Sequence, residues 1–219
     1  MFDLHYDLLT YIYMKRNDIN FIKDYCARVF RKDNICGGIF NLFYMSYKEM
    51  EEEIDIKPEE INVIENLKLV GELIEKYNLI PEGTRYLFGC EGLDYLEKLE
   101  DLDVLYELGL KSVNPVWNNE NKFGGGAKAR KNAGLTSLGK ELIEKLVDRK
   151  IAIDLSHANE KTFYEIIELC KRLKQKGSDP IVFASHSNVK ALCNVPRNLT
   201  DDQIYQIKEL GGVIRSSWN

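Results

Sequence analysis

Seven short, nearly continuous apolar runs punctuate this chain, and longer stretches of helical period separate them. The runs are Phe2 to Asp7, Gly38 to Ser46, Arg85 to Glu91, Ser112 to Trp117, Ile151 to His157, Ile181 to His186 and Gly212 to Ser217. A strand with one face in water alternates apolar and polar residues, whereas a run apolar at almost every position needs cover on both faces. Helices flanking a parallel sheet supply that cover, so the recurrence predicts βαβ units. The helices show in their stripes and caps. Pro58 is placed to open one that carries Ile61, Ile64, Leu67, Val70 and Ile74 on one face. Thr136 precedes another with Leu138, Leu142, Ile143 and Leu146, and Asn159 a third with Phe163, Ile166, Ile167, Cys170 and Leu173. A last helix is expected from Asp201 to Leu210, capped by Thr200 and stopped by Gly211 and Gly212.

With 219 residues and 44% hydrophobic content, one sizeable core is expected, a single domain over residues 1–219. The net charge of -5 is spread along the chain, so no basic stripe exists to neutralise phosphates and nucleic acid is not an expected partner. The N-terminus lacks a basic segment followed by an apolar one, and no run approaches the ~18 apolar residues of a membrane span. A cytoplasmic protein without membrane contact is expected. The five cysteines, Cys26, Cys36, Cys90, Cys170 and Cys193, are odd in number and scattered through apolar segments, which suits free thiols in a reducing compartment.

The three histidines of the chain each fall at the carboxyl end of a predicted strand: His5, His157 and His186. In a parallel barrel those ends converge on one face, where residues distant in sequence can build a site. His5 and Asp7 stand two apart, so a strand places both on one side, where an imidazole and a carboxylate could grip a metal ion. Glu91 follows Tyr86-Leu87-Phe88-Gly89-Cys90, where a desolvated carboxylate is costly unless a cation stands beside it, although it could equally cap a helix near Leu93. His157 and His186 each follow a serine at the end of an apolar run. Together these residues offer enough ligands for two divalent ions bridged by a carboxylate, an arrangement that can hold a hydroxide for attack on a carbonyl.

Two other chemistries are weighed. The long segment Asn118 to Ala133 contains Gly124-Gly125-Gly126 and basic residues, but without a Gly-x-Gly-x-x-Gly order it reads as a mobile lid rather than a phosphate cradle. A Ser-His-Asp triad using Ser156, Ser185 or Ser187 with Asp154 is disfavoured. No Gly-x-Ser-x-Gly elbow occurs, and a serine beside a histidine in one strand should point to the opposite face.

These residues sit in motifs that resemble the renal (membrane) dipeptidase family of binuclear zinc peptidases, bacterial-type members included. The motifs are Asp3-Leu4-His5-Tyr6-Asp7-Leu8, Glu91-Gly92, Gly134-Leu135-Thr136, Asp154-Leu155-Ser156-His157, Ser185-His186-Ser187 and Arg197-Asn198-Leu199, in the family's order and spacing. The resemblance implies a TIM-like (β/α) barrel and hydrolysis of dipeptides with two zinc ions as cofactors. It makes His5 and Asp7 ligands of one ion, His157 and His186 ligands of the other, and Glu91 the catalytic bridging carboxylate. Arg197 corresponds to the arginine that holds the substrate's carboxylate, a task suited to a planar guanidinium. It also leaves a homodimer open.

Two departures shape the expectation. Where mammalian members carry a histidine after strand four, this chain reads Val116-Trp117-Asn118-Asn119, which puts Trp117 and Asn118 at the substrate and leaves oxyanion stabilisation to the metals, Asn118 or Asn121. The family also continues through an eighth strand bearing an aspartate that takes part in catalysis, and no residue here can stand for it. The barrel is therefore expected to be incomplete, about seven parallel strands with the eighth missing. The alternatives are an inactive metal-binding relative and a metal-dependent hydrolase of another amide or ester.

Overall fold

The structure is a computed structural model that describes residues 1–31, 35–43 and 62–216. Among those residues it contains seven strands and seven helices. The strands are β1 (Phe2–Tyr6), β2 (Gly37–Phe43), β3 (Arg85–Glu91), β4 (Leu110–Asn114), β5 (Ala152–Asp154), β6 (Val182–Ala184) and β7 (Val213–Ile214). The helices are α1 (Leu8–Met14), α2 (Ile19–Arg31), α3 (Val63–Tyr77), α4 (Asp101–Glu107), α5 (Ser137–Asp148), α6 (Glu160–Gln175) and α7 (Asp201–Glu209). Strand order in the sheet is the order of the chain. That sequential order is the topology of a TIM-like (β/α) barrel short of its eighth strand, as expected. No helix among the described residues is long and apolar enough to cross a membrane.

The chain divides into two compact units. The first comprises residues 1–90 and 95–110. In it β1 and β2 run parallel, pairing Phe2 with Gly37 and Asp3 with Gly38. Leu8, Leu9, Ile12 and Tyr13 of α1 are buried, as are Ile22, Cys26 and Val29 of α2 at helical spacing. The helix expected from Pro58 begins, within the described residues, at Asn62, whose side chain accepts from the amides of Ile64 and Glu65, both at 3.1 Å. Pro58 and Ile61 lie outside those residues, as do Ser46 and Ser217 of the expected strands. Val63, Leu67, Val70 and Ile74 then form the buried stripe of α3. Each such side chain contributes roughly 1.5–3 kcal/mol by leaving water.

The second unit comprises residues 91–94 and 111–219. Here β4 pairs with β5, β5 with β6 and β6 with β7, all parallel. Its strands are shorter than their apolar runs. β4 ends at Asn114 because Pro115 has no amide to continue a ladder. Past β5 the chain turns away at His157, whose φ is +74°. Thr136 and Asn159 cap α5 and α6 as expected, accepting from Gly139 and Thr162. Leu138 does not join the core: Gly139, Leu142, Ile143, Leu146 and Val147 are buried while Leu138 is 36% exposed. The stripe is rotated by one position because only a glycine can lie so close to the Phe123 carbonyl.

Thr200 opens α7 with a full capping box, Gln203 answering back to the Thr200 amide at 2.9 Å. The chain leaves the helix through Gly211 at φ +84°. Thr200→Ala is expected to cost about 1 kcal/mol, which thermal denaturation would read as a fall of about 2–4 °C, with Thr200→Ser restoring the loss.

Candidate metal centre

In the second unit three side chains arrive from three strand ends. Glu91, 4% exposed, is the last residue of β3, and Gly92 turns the chain immediately after it at φ +75°. His157 and His186 lie just beyond the ends of β5 and β6 rather than within them. His157 accepts a left-handed backbone, a conformation costing an ordinary side chain on the order of 1 kcal/mol, which places its ring inward at 7% exposure. Its Nε2 stands 2.7 Å from Glu91 Oε1 and 2.8 Å from His186 Nε2. His186 Nε2 is 3.4 Å from the same carboxylate oxygen.

The outer nitrogens decide which way the protons point. Asn118 Oδ1 lies 2.9 Å from His157 Nδ1, and an amide oxygen can only accept, so Nδ1 carries the hydrogen and Nε2 the lone pair. Burial, partly opposed by Glu91, pushes the His157 pKa down to about 4, so this ring is neutral near pH 7. Arg197 Nη2 lies 2.9 Å from His157 Nε2 and can meet that lone pair. Glu91 Oε1 and the Nε2 atoms of His157 and His186 also lie within 3.4 Å of one another. Such convergence of acceptors is favourable around a cation. Two imidazoles and a carboxylate, each with one ligand atom within 4.8 Å of the others, form a donor set that suits zinc.

In the first unit His5 and Asp7 do meet. His5 Nε2 is 3.5 Å from Asp7 Oδ1, and that oxygen is buried with no hydrogen-bond partner among the described residues. Asp7 also stands at the N-cap of α1 without using its side chain there. Back in the second unit, Arg197 is partly buried, and its Nη1 has no hydrogen-bond partner among the described residues. Burial lowers its pKa while Glu91 and Asp154 oppose that shift. The Trp117 ring lies 5.9 Å from that of His157, tilted by 34°.

Three expectations are corrected. Ser185 does reach its neighbour: its Oγ is 2.6 Å from His186 Nδ1, because β6 stops at Ala184 and the alternation of a strand no longer applies. Asn121 is not available to an oxyanion. It donates to the Pro115 carbonyl at 2.9 Å and accepts from the amides of Phe123 and Gly124. The glycine triplet is neither cradle nor lid. Phe123 to Gly126 are buried, and the amides of Gly124, Gly125 and Gly126 go to Asn121 Oδ1, Thr162 Oγ1 and the Asn119 carbonyl. The role of Asn118 toward His157 was missed; an amide following a strand end opposite a second strand-end histidine is the signal that could have suggested it.

The family model of the membrane dipeptidases, peptidase family M19, matches residues 1–216. Over 131 residues, 57% of this chain, the sequence is 42% identical to an uncharacterized protein in the PQQ-III 3′ region of Acinetobacter calcoaceticus, of which it covers 39%. The chain spans less than half the length of such curated relatives. A solved dipeptidase, a metallopeptidase of family M19, superposes with a TM-score of 0.73 at 24% identity, covering 99% of this chain and 72% of that one. A metallopeptidase from Rhodobacter sphaeroides, solved with a phosphinate mimic of the dipeptide L-Ala-D-Ala, gives 0.70 at 22% identity over 98% of this chain and 72% of the other. The two likenesses show a shared fold.

Proposed function

The chain belongs to the membrane dipeptidase family, peptidase family M19, and from that premise we propose that it is a zinc-dependent dipeptidase. The observation that carries this reading is the convergence of Glu91 Oε1, His157 Nε2 and His186 Nε2 beside a guanidinium. In the second unit Glu91, His157 and His186 would hold zinc, and in the first unit His5 with Asp7 would hold it as well. The approach of His5 to Asp7 and the unanswered buried oxygen of Asp7 support that pair as ligands. When bound, the ions would supply Lewis acidity toward the scissile carbonyl and toward water.

The chain's own residues would orient the substrate. The buried Nη1 of Arg197 has hydrogen-bonding capacity to offer a free carboxylate, and a neighbour of the same fold solved with a mimic of L-Ala-D-Ala supports a dipeptide as the substrate. Trp117 and Asn118 would wall the same site. Five cysteines without disulfides fit a reducing compartment, and we assign the chain to the cytoplasm.

Elemental analysis of the purified protein, paired with hydrolysis of a dipeptide panel with and without added zinc, tests the reading. Two equivalents of zinc with zinc-dependent turnover are expected. Metal without turnover would make the chain an inactive relative, and no metal would overturn the site. Arg197→Ala is expected to lower kcat/KM for dipeptides by about 30- to 1000-fold, from roughly 2–4 kcal/mol of lost charge pairing. Hydrolysis of neutral esters that survives this substitution, with dipeptides untouched by the parent protein, would move the substrate to another amide or ester.

A further inference from the structure

Asp154 is the last residue of β5 and is 1% exposed. A carboxylate so deep in the protein persists only with donors around it. Its Oδ1 accepts from the amides of Ser156 at 3.0 Å and Ser185 at 3.1 Å. Its Oδ2 faces the Ser185 hydroxyl at hydrogen-bond distance. The Ser185 hydroxyl is the donor in that contact, and its single hydrogen goes to Asp154.

The contact of that hydroxyl with His186 then has one possible sense. Ser185 Oγ lies 2.6 Å from His186 Nδ1 and has no hydrogen left to donate, so the imidazole donates from Nδ1 and keeps its lone pair on Nε2. That Nε2 is the atom turned toward His157 and Glu91. The backbone of His186 is held as well, its amide donating to Ser156 Oγ at 3.1 Å. The order of the group is carboxylate, hydroxyl, imidazole. This is not the order of a serine hydrolase, because the hydroxyl proton points to the carboxylate and the histidine cannot take it.

We propose that Asp154 and Ser185 are positioning residues of the metal centre, a carboxylate–serine relay that sets the tautomer and direction of His186. The proposal rests on the reading of Glu91, His157 and His186 as metal ligands. Groups behind a metal-binding histidine set its orientation and basicity, and their loss weakens metal binding more than it disturbs the fold. The two histidines are held differently: His157 by the neutral amide of Asn118, His186 by a carboxylate acting through a hydroxyl.

The test compares the full chain with Ser185→Ala and Ser185→Thr, reading zinc affinity by chelator competition and the His186 tautomer from ring nitrogen chemical shifts. Ser185→Ala is expected to weaken the affected zinc by about 10- to 100-fold and to release the tautomer preference in the metal-free protein, while Ser185→Thr restores both. Circular dichroism and the melting temperature separate these effects from misfolding. Asp154→Asn should repeat the alanine phenotype if it folds. An Nε2–H tautomer in the parent protein, or zinc affinity unchanged within about twofold in a folded Ser185→Ala variant, would overturn the proposal. Loss of zinc affinity in that variant together with an absence of dipeptide hydrolysis by the parent would sustain the relay and sink only the dipeptidase reading.

Discussion

Replacing Glu91 by glutamine is expected to lower kcat for dipeptide hydrolysis by a factor on the order of 10³ and to leave the protein with fewer than two equivalents of zinc. The substitution preserves shape and removes the charge that faces His157 Nε2 at 2.7 Å and His186 Nε2 at 3.4 Å. A glutamine amide also brings hydrogens to a place where acceptors converge. It can donate to an Nε2 lone pair and close the cluster without a cation. The metal-free variant should therefore melt no lower than the metal-free parent, while the rise in melting temperature that zinc confers on the parent should largely disappear. A variant that binds two zinc ions and turns over at the parental rate would remove Glu91 from the site. One that unfolds outright would show the carboxylate to be structural.

Gly126→Ala is expected to destabilise the second unit by about 3 kcal/mol or more, well above the effect of an ordinary surface substitution. A Cβ at this position would overlap the Trp117 carbonyl oxygen and stand 2.5 Å from the Asn118 carbonyl carbon. Both obstacles are backbone, so no side-chain rotation can relieve them. The segment cannot swing away as a whole either. The Gly126 amide donates to the Asn119 carbonyl at 2.9 Å, and the Asn159 amide donates to the Gly125 carbonyl at 3.0 Å. A shift of Asn118 would loosen its 2.9 Å contact with His157 Nδ1, so zinc affinity should fall along with the melting temperature. Thermal denaturation and chelator competition on the same variant measure both, and an unchanged melting temperature would mean that the loop is free to move.

The sequence by itself determined which elements form and which residue types stand at their ends. Runs apolar at nearly every position have to be covered on both faces, and a helical stripe such as Leu67, Val70 and Ile74 has one burial solution, so both are written in one dimension. That Glu91, His157 and His186 stand at or just past strand ends was legible for the same reason, each being a polar residue that follows an apolar run. The helices α1, α2 and α4 were not read individually, nor was the one-position rotation of α5, because close backbone approach at Gly139 set it. Only the tertiary structure decided the direction of each hydrogen bond around those residues. That the serine next to His186 faces it, that its proton goes to Asp154, that Asn118 answers His157 and that Asn121 is consumed by its own loop all depend on where strands stop and turns begin. Residue spacing fixes the face of a side chain only while the strand lasts, and each of these contacts has at least one partner beyond a strand's last residue, where three-dimensional packing alone sets the geometry.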